Sequence, residues 1–422
     1  MRTMGLLCGV VLWAGLLAPS AAAEARQDIR LANGRLYVDG DWMFLKIAKV
    51  LRDLGTAEGC AQLISEIPIL KQKHYNCIAI NCYWHHYDKD GDGAPDVPLE
   101  PLADVVRAID AAGMFPAIST EIYGVGGGTV PGPFWKRHPD AIAVNSKGEK
   151  VMDTEYGFGS AVPSFLSPDY LKASRAFIRN LAAALPHELL LYYETSVEPQ
   201  YIGNQALDFS THAKKAWQEW RAYHPAAPEW PDRFPVPKTF LKDPEWNRFR
   251  AIKLADWVNN DAGAFRSVAG RDALVAVDYL ETNGPEMRRR NGDSRVFLEA
   301  LDCANIIQVN WHWHLRTRAP NQAAYDNVGA VMKETGRDWA ISEHMTLNGS
   351  DYKPEEAPAM LRNALKQGTG FGWEFVHVVA NSDDPFAHYH DDWSPKPLIA
   401  VVDNQWAEWE QEIARRHSAP VQ

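Results

Sequence analysis

Leu189-Leu-Leu-Tyr-Tyr-Glu-Thr-Ser-Val-Glu-Pro-Gln-Tyr201 begins as an unbroken apolar run and turns abruptly polar. A strand buried on both faces reads this way, and such strands belong to parallel sheets. Glu194 and Glu198 follow the run, and Pro199 ends the regular backbone. A second run of the same kind, Trp339-Ala-Ile-Ser-Glu-His344, brings Glu343 to a comparable position. Carboxylates at the C-terminal ends of buried parallel strands are where a (β/α)₈ barrel assembles its chemistry.

Outward from these two runs, strand-like and helix-like segments alternate along the chain, as an α/β fold requires. Eight strands are expected: Phe44–Lys49, Asn76–Tyr83, Met114–Thr120, the run from Leu189, Ala273–Val277, Asn305–Trp311, Trp339–Glu343 and Gly370–Val376. Helices fit between them, the clearest at 56–73, 99–112, 168–185, 245–269 and 323–335. Residues 33–42, with a turn at Asp39-Gly40, read as a β-hairpin that closes the barrel bottom. The loops after the third and fourth strands are long and rich in Gly, Pro and aromatics, the composition of functional loops. The fold expected is therefore an α/β (β/α)₈ TIM barrel with an N-terminal β-hairpin and long βα loops.

Residues 1–23 stand apart. Arg2, the apolar run Leu6–Leu17 and Ala21-Ala22-Ala23 have the layout of a cleaved signal peptide. The run is shorter than the roughly 20 residues a spanning helix needs. A secreted or periplasmic protein is expected, with residues 24–422 as a single catalytic domain. The net charge of −11 argues against nucleic acid or an anionic membrane surface as partner. Cys60, Cys77, Cys82 and Cys303 contain no C-x-x-C pair, and buried thiols are expected rather than a disulfide such as Cys60–Cys77. Cys77 and Cys82 should face opposite sides of one strand. The composition leaves the oligomeric state open.

The strand ends share one character. The second carries Asn81, Tyr83, Trp84, His85 and His86; the third Glu121 and Tyr123; the fourth Glu194 and Glu198. The fifth carries Asp278, Tyr279 and Glu281; the sixth Asn310, Trp311, His312, Trp313 and His314; the last two Glu343, His344, Trp373 and Glu374. Aromatic faces stack on sugar rings, while carboxylates, amides and imidazoles bond hydroxyls. Two carboxylates at one mouth are the apparatus of glycosidic cleavage. The substrate-contact candidates are Trp84, His85, Glu121, Tyr123, Glu194, Tyr279, Asn310, His312, His314 and Trp373.

Asn33-Gly34-Arg35, Val38-Asp39-Gly40, the strand ending Asn81-Cys-Tyr-Trp-His85, Glu198-Pro199 and Ser342-Glu343 resemble glycoside hydrolase clan A. The segment from Ala213 through Trp246-Asn-Arg-Phe-Arg250 is similar to the family 42 β-galactosidases. The resemblance implies a retaining, double-displacement hydrolase of a carbohydrate substrate, with Glu198 as acid/base and Glu343 as nucleophile. It implies no organic cofactor. Val197 stands where the clan carries Asn, so the contact to the sugar 2-hydroxyl is either lost or moved to Asn310, His312 or Glu194. Glu194 also competes with Glu198 as proton donor.

Two other classes compete. A non-catalytic carbohydrate-binding barrel would keep the aromatics, and Val197 favours it. A metal-dependent hydrolase would use His312 and His314, but the His-x-His pair of that barrel type lies on the first strand. Asp88, Asp90, Asp92 and Asp96, alternating with glycines, offer hard oxygen ligands for a structural Ca²⁺; a solvated acidic turn is the competing reading. Gly124-Val-Gly-Gly-Gly128 lacks the Lys-Ser/Thr of a phosphate loop. Ser119, Ser196 and Ser342 lack a Gly-x-Ser-x-Gly elbow.

Overall fold

The computed structural model describes residues 28–123, 129–152, 160–195, 197–202, 206–280, 290–310, 312–314, 317–345 and 352–417. The signal segment 1–23, the glycines 124–128, Ser196, Glu281 and Trp311 lie outside the described residues.

Short antiparallel strands β1 (Ile29–Ala32), β2 (Arg35–Val38) and β3 (Asp41–Trp42) form a meander. The sequence suggested one tight turn, and the structure has two. Ala32 pairs with Arg35 and Val38 with Asp41. Positive φ at Asn33, Gly34, Asp39 and Gly40 makes both connections the two-residue hairpin turns that Asn-Gly and Asp-Gly favour. The Asp338 carboxylate accepts the Asn33 and Gly34 backbone N–H groups at 2.7 and 2.9 Å, pinning the meander to the barrel.

The barrel strands are β4 (Leu45–Val50), β5 (Cys77–Tyr83), β6 (Phe115–Glu121), β7 (Tyr193–Glu194), β8 (Val275–Leu280), β9 (Ile306–Asn310), β12 (Ala340–Met345) and β13 (Gly372–Phe375). They close in chain order, every neighbour parallel. The small ribbon β10 (Trp313–His314) and β11 (Ala319–Pro320) lies outside this ring. All eight expected strands are present. The fourth is shorter than its apolar run suggests: His187–Leu189 is a 3₁₀ turn, and ladder bonds begin at Leu191.

Side chains alternate across the barrel wall. Leu45, Ile47, Cys77, Ala79, Phe115, Ala117, Ala276, Ile306 and Ala340 point inward, and Leu36 of the meander and Phe371 join them. The lower interior is thus an apolar plug, as expected of the hairpin's position. The outward residues, among them Ile78, Ile80, Cys82, Ile118, Val277, Val309 and Ile341, pack beneath the helices. Helix Ala57–Gln72 starts where Thr56 Oγ1 accepts the Gly59 N–H at 3.1 Å, satisfying an otherwise orphan donor. The four cysteines are buried thiols, with Cys77 inside the barrel and Cys82 beneath the helices.

The long segment between β7 and β8 makes a core of its own. Trp217, Phe240, Trp246 and Phe249, from helices Thr211–Tyr223, Lys238–Leu241 and Pro244–Ala269, pack together, and Phe209 from the segment before the first of them stacks on Trp246. Among the described residues no helix is long and apolar enough to cross a membrane.

Candidate active site

The inward register turns polar one step above the plug. Lys49 of β4 lies level with Ala79, Glu194 with Ser119 and Ala276, and Asp278 with Gln308. Gln308 is level with Ser342, and His344 with Glu374. One inner ring of the barrel therefore carries its charged side chains at the C-terminal ends of the strands. Water cannot reach most of it.

At its centre Lys49 Nζ donates to both Glu194 oxygens, at 2.6 and 2.7 Å, and lies 3.5 Å from Glu374 Oε1. Glu374 Oε2 accepts from Gln308 Nε2 at 2.9 Å and from the Tyr192 hydroxyl at 3.2 Å. His344 Nδ1 lies 2.9 Å from Glu374 Oε1 and 3.9 Å from Asp278 Oδ2. Burial alone would neutralise Lys49, but the Glu194 and Glu374 charges outweigh it and hold the ammonium well above its usual range. Burial likewise opposes charge on His344, yet Asp278 and Glu374 carry it up to about 9. Burial disfavours ionised Glu374 too, and Lys49 with His344 overcomes that and keeps it low. A buried charge lacking such partners would cost several kcal/mol, on the order of 3–5.

Glu198 stands at the rim of this ring. Its backbone takes a positive φ of 49°, and its N–H donates to Asp278 Oδ2 at 3.1 Å. Asn310 Nδ2 donates to Glu198 Oε1 at 3.0 Å and to Asp278 Oδ2 at 3.2 Å. One amide nitrogen thus bridges two carboxylates and keeps those oxygens within about 6 Å of each other. Gln200 Nε2 holds Glu198 Oε2 at 3.0 Å, and Arg290 holds Gln200 in turn. Burial, then the charge of Asp278, pushes Glu198 up to about 7. Burial also raises Glu121, to about 7, against the pull of Lys49. Glu121 Oε2 and Asp278 Oδ1 are buried with no hydrogen-bond partner among the described residues. Buried acceptors left open in this way can take a hydrogen bond from ordered water or from a ligand.

The structure brings Glu121, Glu194, Glu198 and Asn310 of the expected set onto this inner wall. Five others it places elsewhere. Glu343, expected as the nucleophile, is on the opposite face of β12. It pairs in register with the outward residues Val309 and Trp373. Its Oε1 accepts from the Tyr325 and Thr369 hydroxyls, both at 2.8 Å, behind the barrel wall. Burial raises it to about 8 there. The same parity corrects Trp373, which packs on Trp406 and Trp409 of the C-terminal helices. Tyr279 is likewise outward, within bonding distance of Asn327 at 3.3 Å.

Trp84 opens a helical turn, Trp84–Tyr87, which swings it against Phe134, Tyr170 and Phe177. Tyr123 packs on Phe165 and Trp257. These aromatics are core, not sugar platforms. His85 is half-buried with its ring 6.2 Å from Tyr83. His312 is buried 3.7 Å from Glu343 Oε2, and burial followed by His344 depresses it to about 4. His314 is half-buried on β10.

Asp278, His344 and Glu374 stand among the strand-end residues of the sequence, His344 there as a further ligand to a His312/His314 metal pair, whereas Lys49 does not. The signal for Lys49 was present: it shares parity with Leu45 and Ile47, the interior face of β4.

Two groups of side chains converge as metal ligands would: Glu194 with His344 and Glu374, and Asp88 with Asp90 and Asp96. In the first, the Lys49 ammonium already supplies the positive charge. In the second, Asp88 also accepts from the Gly91 and Gly93 N–H groups and the Trp84 indole. Asp92 instead turns its carboxylate to the Ala94 N–H at 2.7 Å, so it is not part of that group.

No family model matches the chain, and no curated protein matches it. Solved structures do. The catalytic domain of β-amylase from Paenibacillus polymyxa superposes with a TM-score of 0.58 at 14% identity, covering 86% of this chain and 98% of that one. β-Galactosidase from the psychrophilic Marinomonas ef1 gives 0.64 at 11%, covering 89% of this chain and 62% of that one. The PgaB (BpsB) glycoside hydrolase domain from Bordetella bronchiseptica gives 0.53 at 15%, covering 78% and 94%. The fold is a (β/α)₈ TIM barrel, the fold of these three structures. The resemblance drawn from the short motifs therefore holds for the fold.

Proposed function

We propose that this chain is an exported retaining glycoside hydrolase in which Glu198 is the acid/base and Asp278 the second carboxylate. The observation that carries the reading is the Asn310 bridge, which holds the two carboxylates at a separation compatible with the ~5–5.5 Å of retaining enzymes. Glu198 is the half-buried member and keeps a proton near neutral pH because burial and Asp278 oppose its charge. Asp278 Oδ1 attacks the anomeric carbon as Glu198 protonates the leaving oxygen. Glu198 then takes a proton from water, whose oxygen displaces Asp278 from the sugar. The substrate is an oligo- or polysaccharide, and export rests on Arg2, Leu6–Leu17 and Ala21–Ala23.

The burial of Asp278, together with Val197 in place of a sugar-bonding Asn, favours a second reading, a carbohydrate-binding barrel without turnover. A panel of aryl α- and β-glycosides and polysaccharides separates the two. Wild type should turn over one of them with retention, and Asp278→Asn should lose at least about 10³-fold. Binding to a polysaccharide with no product from any variant would establish the second reading instead.

A further inference from the structure

The inner ring contains more charge than two-carboxylate chemistry uses, and one member touches both the chemistry and the remainder. His344 stands between Glu374, 2.9 Å away, and Asp278, 3.9 Å away. Glu343, the residue before it, faces the other side of the wall, so β12 places the imidazole in the ring by parity. Both flanking carboxylates are fully buried, and His344 itself is 3% exposed. The charged groups facing it are Glu374 and Lys49 from the adjoining strands, Asp278 and Glu194 across the ring, and Glu198 at the rim. Neutral His312 and His377 face it from the loops after β9 and β13.

Lys49 lies between Glu194 and Glu374, donating to the first and 3.5 Å from the second, while burial, against the pull of Lys49, raises Glu194 to about 8. Asp278 has Asn310 and the Glu198 N–H as donors, neither of which carries a formal charge. His344 is the cation beside it.

We infer that His344 is a positioning residue that keeps Asp278 the charged member of the Glu198/Asp278 pair, with Glu374 holding the imidazole in place for that task. The consequence is an assignment of roles. Two carboxylates this close share one proton, and the cation beside Asp278 sends it to Glu198. Without His344 the proton moves to Asp278, and neither a nucleophile nor a proton donor is in place at neutral pH. The inference rests on the proposed pairing of Glu198 and Asp278.

The test compares wild type with His344→Gln and His344→Lys. Gln keeps a polar contact to Glu374 without the charge, and Lys restores a cation. An opposite charge at ~4–6 Å is worth about 1–3 pH units to a carboxylate. In His344→Gln the acidic limb of kcat/KM should therefore move up by at least about one pH unit, and in His344→Lys it should move back.

Carboxyl ¹³C titration of Asp278 in the same proteins reads the shift without turnover. A raised Asp278 titration with no glycoside cleaved by any variant sustains the role of His344 and removes the hydrolase reading. An Asp278 titration unchanged in a folded His344→Gln overturns the inference. Equal loss of activity at every pH, with no rescue by Lys, also overturns it.

Discussion

Two buried carboxylate sites sit on opposite sides of one barrel wall, and they differ in what surrounds them. On the inside, Glu198 and Asp278 share an amide donor beside a ring of compensating charges, with open acceptor atoms at Glu121 and Asp278. On the outside, Glu343 Oε1 accepts from two hydroxyls, its Oε2 is as open as those inner acceptors, and the His312 imidazole beside it is kept neutral by burial. The inner site holds charge beside a carboxyl, Glu198, that keeps its proton near neutral pH. The outer site suits a protonated carboxyl that ties β12 to helix Gln322–Thr335 and to Thr369. Burial raises both Glu198 and Glu343, so a shifted acid alone does not mark a catalytic one. The partners do.

The largest expected effect separates the two sites directly. Glu198→Gln should lower kcat by about 10²–10⁴-fold on any glycoside the protein cleaves, whereas Glu343→Gln should stay within a few-fold. Near-equal losses in steady-state assays would erase the distinction. Removing the cation that balances the inner ring comes next. Lys49→Met strands Glu194 and Glu374 in a dry interior and should cost about 3–5 kcal/mol in urea unfolding. A loss under about 1 kcal/mol would mean that the ring adjusts by protonation instead.

The smallest effect concerns the outer site and its sign with pH. Glu343 has a folded value of about 8, above the ~4.5 of an exposed carboxyl, so the folded state binds the extra proton. Its contribution to stability is full below the unfolded value and is lost as pH rises toward the folded one. Wild-type stability should decline relative to Glu343→Gln between about pH 4.5 and 8, and the two curves should run parallel above that. Paired unfolding curves at four pH values test this, and a constant difference would show that Glu343 does not change its protonation on folding.

How far the sequence reads is clear from these same residues. Glu198-Pro199 after an apolar run was legible as a mouth carboxylate, and it is one. Glu343 follows an equally apolar run, but Ile341 two positions earlier shares its face, and that face packs under the helices. Parity within Ala340–Met345 held the answer, and the motif Ser342-Glu343 outweighed it. Trp84 and Tyr123 escaped for another reason: each lies just past a strand, where alternation ends and a turn decides the direction.

Alternation of apolar runs and helical segments determined the eight strands, their order and the polar end of the barrel, because buried parallel strands must be apolar throughout and loops must carry the polar groups. Asn-Gly and Asp-Gly determined the N-terminal turns through backbone sterics alone. Which carboxylates share a proton, and which cation balances them, was decided only by closure of the barrel. Lys49, Glu194, Asp278, His344 and Glu374 are spread over more than 300 residues of chain. They become one electrostatic unit only when strands β4, β7, β8, β12 and β13 place them on one inner ring, where little water remains to screen them.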